Sequence, residues 1–195
     1  MRSIPLAVIL SLSLATAAMA QKVAPATTPA SSSGDVALVY HWIRSNTQPG
    51  DCGCFDLNGG GVSGSWNFGS YWAAVVELSG AYAGNGPGTG NSLTLVSYLA
   101  GARYYLPPPR RSASHRLQPF AQVLLGASHA GGGIAGAGDG TMAFTARMGG
   151  GLDLPLGSRF ALRLLQADYD LTTFANGVNG RQNNLLLGTG VVLRW

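Results

Sequence analysis

Residues 183–195 read Asn-Asn-Leu-Leu-Leu-Gly-Thr-Gly-Val-Val-Leu-Arg-Trp, and this stretch decides the fold. Counting back in twos from Trp195 places four further apolar side chains and one threonine on a single face. The other face carries Arg194, two glycines and Asn184 among its residues. A repeat of two residues predicts a β-strand. One apolar face and one polar face suit a wall between lipid and a crowded polar interior.

The strand ends on an aromatic residue at the C-terminus. Apolar alternation that ends in this way resembles the insertion signal of outer-membrane β-barrels, and the resemblance assigns that role to Trp195. The alternative is the last edge strand of a soluble β-sandwich that happens to end on tryptophan.

The first 34 residues predict export rather than folded structure. Arg2 supplies a positive charge, residues 4–17 are apolar, and Ala18-Met19-Ala20 has the pattern of a cleavage site. We therefore expect a signal peptide over 1–20, a disordered polar linker with prolines over 21–34, and one β-barrel domain over 35–195.

Composition favours a surface that faces lipid. Charged residues make up only 10% of the chain, against about 25% in an average soluble domain. After the signal peptide there is no run of about 20 apolar residues, so a membrane-spanning form would have to be a closed barrel. The net charge of +4 is small and scattered, and it does not predict nucleic-acid binding.

Seven earlier segments also alternate with a period of two. They cover 35–46, 61–68, 71–82, 92–106, 117–129, 141–154 and 160–171. In the last of them Gln166, Asp168 and Asp170 have the wrong parity, which a β-bulge near Leu164-Leu165 would correct. Long connections follow the odd-numbered strands, at 47–60, 83–91, 130–140 and 172–182, and two of the three connections after even-numbered strands are short.

Outward aromatic side chains should form two belts near the strand ends. The belt at the end where the first strand begins is expected to contain Trp66, Phe68, Trp72, Tyr104, Phe120, Phe160 and Trp195. The belt at the other end is expected to contain Tyr40, Trp42, Tyr82, Phe144 and Tyr169.

These features predict an all-β, eight-stranded antiparallel up-and-down transmembrane β-barrel. From residue 34 onward the chain resembles the small outer-membrane β-barrel family, such as the membrane domain of outer-membrane protein A. The stretches that carry the resemblance are Gly101–Leu106, Pro119–Gly126, Gly149–Asp153, Arg163–Tyr169 and Gly190–Trp195. It implies outer-membrane lipid, periplasmic chaperones and the barrel-assembly machinery as partners, and a monomer as the working form. The turn at 107–116 is longer than the family's usual turns, and we expect no C-terminal periplasmic domain.

Several charged residues have inward parity. Eight strands enclose a space that side chains just fill, and a buried charge needs a partner. We therefore expect a structural network of ion pairs that plugs the lumen and leaves no wide pore. Its expected members are Glu77, Arg103, Arg147, Asp153, Arg163, Asp168, Asp170 and Arg194.

No pattern predicts a catalytic, cofactor or metal site. Cys52 and Cys54 form a single Cys-Gly-Cys without a second ligand cluster, and we interpret them as loop cysteines, although a strained disulfide between them stays open. The glycine runs lack the strand-to-helix context and the Lys-Ser/Thr of a phosphate-binding loop.

Two further groups of residues have side chains that a functional site could use. Ser128-His129 is the only adjacent serine–histidine pair, but neighbours on a strand point to opposite faces; His41 and His115 are the remaining histidines. Arg110, Arg111, His115 and Arg116 form a basic turn that we interpret as solvated, with contact to anionic lipid or a periplasmic partner as the alternative.

The sequence thus predicts a non-enzymatic protein in the outer membrane of a diderm bacterium, acting in envelope integrity or surface interaction through external loops. The alternatives are a narrow porin-like channel, a lipid-modifying outer-membrane enzyme and, third, a soluble barrel of lipocalin type. No ligand of the loops is predicted.

Overall fold

Eight β-strands follow one another along the chain. The computed structural model describes residues 33–45, 55–84, 92–107, 117–132, 140–174 and 180–195. The strands are β1 (Gly34–Ser45), β2 (Phe55–Asn67), β3 (Trp72–Ala83), β4 (Leu93–Tyr105), β5 (Gln118–Gly132), β6 (Thr141–Pro155), β7 (Phe160–Thr172) and β8 (Gln182–Arg194). Each strand pairs antiparallel with the next, and β8 pairs with β1. The predicted eight-stranded up-and-down β-barrel is confirmed.

The two ends of the chain's folded part meet in the seam between β1 and β8. The pairing runs from Asp35 opposite Arg194 to Ser45 opposite Asn184. Beyond it, the backbone N–H of Ser33 donates to the carbonyl oxygen of Trp195 at 2.6 Å, and that of Trp195 donates to Gly34 at 3.2 Å. Closure gives every strand two neighbours, so the sheet has no open edge. We call the end with Gly34 and Trp195 the lower end, and the end with Ser45 and Phe55 the upper end.

Side chains alternate between the outside and the lumen, as the sequence predicts. In β1, Leu38 is 58% exposed while Ala37 is fully buried, and in β5 Val123 is 54% exposed while Leu124 is fully buried. Many of the large apolar side chains thus stand on the outer wall, whereas most of the charged residues face the lumen together with small and buried apolar residues.

The predicted β-bulge is confirmed in β7. The register between β7 and β8 shifts between Arg163 and Gln166, and both intervening leucines stand outside, 41% and 45% exposed. Two consecutive outward residues restore the alternation. Gln166, Asp168 and Asp170 therefore all face the lumen, at no more than 1% exposure.

The predicted loop 47–60 is too long, because β2 begins at Phe55. Residues 55–60 pair with the upper half of β1, from Ser45 opposite Phe55 to Tyr40 opposite Gly60. Glycine is a poor strand residue, but the upper half of β1 needs a hydrogen-bonding partner on this side. Pairing therefore overrides local propensity at this position.

Aromatic side chains stand outward near both ends of the barrel. At the lower end the rings of Trp72 and Tyr104 lie 4.9 Å apart, and at the upper end the Tyr40 hydroxyl donates to Asn58 at 2.7 Å. The placement of Phe120 in the lower belt is wrong. Its side chain is 3% exposed and lies in the lumen, where it contacts arginines.

Several predictions concern residues outside the described ranges: the signal peptide, most of the linker 21–34, Cys52, Cys54, and the basic turn residues Arg110, Arg111, His115 and Arg116. Gly34, predicted as the end of the linker, opens β1. In the parts of the chain that the structure describes, no helix combines the length and the hydropathy that crossing a membrane would require.

Candidate functional site

The lumen of the barrel gathers the charged residues that the sequence singles out. Glu77, Arg103, Arg147, Asp153, Arg163, Asp168 and Asp170 lie inside with exposures between 0% and 7%. Arg194 points inward at the lower end, with its side chain 11% exposed. Seven of these eight residues fall into three groups, and two glutamines connect the second and third groups through the eighth residue, Asp168.

The first group is centred on Arg147 in β6. Its Nε and Nη2 donate to the two carboxylate oxygens of Asp170 on β7, at 3.2 and 2.9 Å. Its Nη1 donates to Glu77 on β3. Because β3 and β6 are not neighbours in the sheet, this second ion pair crosses the lumen. One guanidinium group therefore ties opposite walls of the barrel together.

The second group lies at the lower end, around Arg163. Its Nε and Nη2 donate to the carboxylate of Asp153 at 2.9 and 3.2 Å. Arg194 lies 3.9 Å from the same carboxylate and donates to Gln118 at 2.9 Å. The pair of hydrogen bonds from Arg163 to Asp153 is the strong, bidentate form of an arginine–carboxylate contact.

The third group joins β4 to β1. Arg103 lies 3.6 Å from the carboxylate of Asp35, and the Tyr105 hydroxyl donates to that carboxylate at 2.8 Å. Neither Asp35 nor Tyr105 was among the predicted network residues. Both positions could have been predicted from the alternation. Asp35 lies an even number of residues from His41, and Tyr105 an even number from Arg103, so each shares the lumen-facing side of its strand.

Asp168 is held differently from the other carboxylates. The amide nitrogens of Gln122 and Gln166 donate to it, from 3.3 and 2.6 Å at their closest. The oxygens of the same amides accept from arginines: Gln122 from Arg103 at 3.0 Å and Gln166 from Arg163 at 3.0 Å. Each glutamine thus stands between a guanidinium group and the carboxylate. Among the described residues, Asp168 has no arginine within ion-pair distance.

Phe120 separates two of the arginines. The guanidinium carbons of Arg103 and Arg163 lie 4.6 and 4.5 Å from its ring centroid. A cation over an aromatic ring is attracted by the electrons of its face. Gly151 makes room for this ring, since a Cβ there would lie 2.7 Å from it. Phe120 thus has a favourable electrostatic environment inside, on the same face of β5 as Gln122 and Ser128.

Hydroxyl groups line the lumen above the charges. Ser97 and Ser128 lie 2.7 Å apart, and Thr145 donates to Ser128 at 2.7 Å. The Ser128 hydroxyl is therefore engaged with two lumen hydroxyls, whereas His129 is outward by alternation and partly exposed. The structure does not bring this serine and histidine together, as a hydrolase would require.

The upper end of the lumen is largely apolar, a feature that the sequence did not predict, and Ser45 donates to Asn184 there at 2.6 Å. Ten buried residues from the upper ends of the strands and the segment just after β7 form one cluster: Ile43, Leu57, Ala81, Ala83, Leu93, Leu95, Ala130, Ala143, Phe174 and Leu186. Charged, hydroxyl-bearing and apolar levels thus follow one another from the lower end to the upper end. In the described ranges no three His, Cys, Asp or Glu residues are grouped so that they could hold a metal ion.

Searches for sequence relatives found none. No protein-family model matches the chain, and no curated protein matches it. Solved structures match instead. Neisserial surface protein A aligns with a TM-score of 0.61 at 15% identity, over 84% of this chain and 98% of that one.

Two other solved barrels match nearly as well. Ail, the attachment invasion locus protein of Yersinia pestis, aligns with a TM-score of 0.52 at 12% identity, over 83% of this chain and 99% of that one. The N-terminal β-barrel domain of Pseudomonas aeruginosa OprF has a TM-score of 0.51 at 15% identity, with the same coverage. This chain has the fold of the small outer-membrane β-barrels. At such identities the likeness shows the fold, and the role must be inferred from the molecule itself.

Asp153 is paired directly with an arginine, whereas Asp168 is hydrogen-bonded to two glutamines. Removing the charge of each carboxylate should therefore lower the free energy of unfolding by a different amount. Asp153→Asn should lower the free energy of unfolding by about 3–5 kcal/mol, because it leaves Arg163 without its charged partner. Asp168→Asn should cost only about 1–3 kcal/mol, because one amide loses its acceptor and no guanidinium loses a contact. Urea unfolding of both variants in the same lipid vesicles measures the difference. An equal or larger loss for Asp168→Asn would contradict the glutamine-mediated arrangement.

Proposed function

We propose that this protein is an integral outer-membrane β-barrel with a closed lumen, which anchors its external loops in envelope integrity or surface interaction. The observation that carries the proposal is the filling of the lumen at two levels. Crossing ion pairs fill it around Arg147, and ten buried apolar residues fill it above. A barrel built in this way is suited to anchoring rather than to transport.

The outer wall supports a location in a membrane. Its exposed side chains are aliphatic over the middle of the strands, as at Leu125, Val76 and Val191, which are 47–53% exposed. Aromatic residues stand near both ends, as in proteins that cross a bilayer. The expected signal peptide would deliver the chain across the inner membrane.

The unequal connections support an orientation. At the lower end, residues 68–71 and 156–159 form connections that are shorter than every connection at the upper end, whereas the third lower connection, 106–117, is the longest of the seven. Outer-membrane barrels carry short turns on the periplasmic side and long loops outside. We call the ten buried apolar residues at the upper end the apolar seal. We therefore propose that the upper end, which carries this apolar seal, faces the exterior.

The proposed partners are outer-membrane lipid and the periplasmic factors that insert barrels, with Trp195 as the insertion signal and a monomer as the working form. The position of Trp195 is compatible with such a role, because its ring is 50% exposed and its backbone completes the β1–β8 seam. For the loops, the structural relatives offer one guide: Ail is named for attachment and invasion and has been solved with a heparin analogue, sucrose octasulfate. Surface interaction is the corresponding proposal for this chain.

Two functions predicted as alternatives receive less support. A channel would need a passage past both the ion pairs and the apolar seal. A lipid-modifying enzyme built on Ser128 and His129 would need side chains that meet, but they stand on opposite faces. We therefore propose that the protein is not an enzyme.

Planar-bilayer recording tests the closed lumen. The refolded full chain should show no steady conductance of the size that a large porin gives, because two levels of buried side chains block the lumen. Heat-dependent mobility on SDS gels serves as the control for folding. Steady openings of porin size by a folded, inserted barrel would contradict the proposal.

Charge placed on the outer wall tests the membrane location. Leu125→Arg, in the middle of β5, should lower the free energy of unfolding in vesicles by about 2–4 kcal/mol, whereas Phe160→Arg, at the lower end of β7, should cost about 0–1 kcal/mol. Both residues are exposed, at 52% and 60%, so a soluble barrel would tolerate the two changes equally. Equal small losses would rule out a lipid-facing wall.

A further inference from the structure

His41 lies in the lumen on the inner face of β1 and takes no part in the three groups of ion pairs. Its side chain is buried, at 2% exposure. Among the described residues, neither Nδ1 nor Nε2 of its ring has a hydrogen-bond partner. Nearly all buried polar groups in proteins have at least one such partner. The imidazole is therefore an exception in a lumen whose other ionisable groups are paired.

Glycines on the two neighbouring strands make room for the ring. A Cβ at Gly61 of β2 would lie 3.0 Å from its Cε1, and a Cβ at Gly188 of β8 would lie 3.0 Å from its Cδ2. Gly59, which is directly opposite His41 in β2, also lacks a side chain. The strands that pair with β1 thus offer the ring space but no side-chain acceptor.

The charged groups that act on the ring electrostatically come from the other walls of the lumen. They are Arg147 on β6, and Arg163 and Asp170 on β7. Both carboxylate oxygens of Asp170 already accept from Arg147, which also donates to Glu77 on β3. The remaining lumen carboxylates have the partners described above; they are Asp35, Asp153 and Asp168. No carboxylate among the described residues is left to pair with a charged His41.

Protonation would give the ring a positive charge and a second N–H donor. A buried charge without a partner is costly, and two of the three charged groups acting on His41 are themselves positive. We propose that His41 makes the barrel acid-sensitive, because uptake of a proton by its ring loosens the wall formed by β1, β2 and β8. This device goes beyond the proposed anchoring role and depends only on the filled lumen.

The direction of the pH effect follows from where the proton can bind. In an unfolded chain, a histidine ring is half protonated at about pH 6.5. The closed barrel excludes this proton, so below that pH the unfolded state binds more protons and stability falls as the pH falls. Between pH 7.5 and pH 5.0, His41 alone should raise the equilibrium constant for unfolding by about 30-fold.

Urea unfolding of the full chain in lipid vesicles at these two pH values tests the proposal. His41→Phe keeps an aromatic ring that cannot take up a proton, so its unfolding constant should rise about 30-fold less than that of the native chain. His41→Leu gives the same comparison with a smaller side chain. His129→Phe is the matched control, because His129 stands on the outer wall and is partly exposed, and it should keep the native pH dependence.

The unaltered chain offers a test that does not depend on any variant folding. Nitrogen-15 NMR of histidine-labelled barrels at pH 5.0 should show that one of the three histidine rings stays neutral. The proposal is overturned if all three rings are protonated in the folded barrel, or if a folded His41 variant has the same pH dependence as the native chain. Either result in an inserted barrel would sink this inference alone, whereas failure to insert would sink the proposed function.

Discussion

The structure depends on one constraint: the ionic side chains that are buried in the lumen must be paired there. Arg147 shows how this is met. It contacts Asp170 on the adjacent strand and Glu77 across the lumen, so a single side chain satisfies two carboxylates and joins opposite walls. Breaking such a pair leaves an uncompensated buried charge, which costs several times more than a surface ion pair contributes. Because these charges are buried, loss of one partner should be strongly destabilising. The register of β6 and β7 must therefore place Arg147 opposite Asp170.

The side chains that fill the lumen change in polarity from the lower end to the upper end, and this change links the packing to the proposed role. The lower part holds ion pairs, the next level holds hydroxyls such as Ser97 and Ser128, and the upper part holds Leu57, Phe174 and their neighbours. Glutamines extend the reach of the charges, since Gln122 and Gln166 stand between arginines and Asp168. An apolar upper level cannot solvate an ion. The loops above it are thus attached to a filled support, which suits a protein that acts through its surface.

Much of this arrangement could be predicted from the sequence, because parity in a strand is local information. The bulge at Leu164-Leu165 followed from three polar residues with the wrong parity, and the inward charged residues followed from the same counting. What depends on register could not be obtained in this way. The register between strands determines which residues lie next to each other across the barrel. It therefore sets the partners of Arg147, the apolar level and the early start of β2 at Phe55. Phe120 was misplaced because an aromatic residue near a strand end resembles a belt residue, although its parity with Gln122 and Ser128 places it inside; the positions of Arg103 and Arg163 show what its ring contacts there.

A double-mutant cycle on Arg147 and Asp170 tests the central claim most directly. The measured quantity is the free energy of unfolding in vesicles for the native barrel, Arg147→Met, Asp170→Leu and the double variant. Each single change should cost about 3–5 kcal/mol, because Arg147→Met strands Asp170 and Glu77, and Asp170→Leu leaves Arg147 with Glu77 as its one carboxylate. The double variant, with neither charge left from this pair, should cost clearly less than the sum of the two. Additive losses, or single losses near zero, would contradict an interior held together by paired charge.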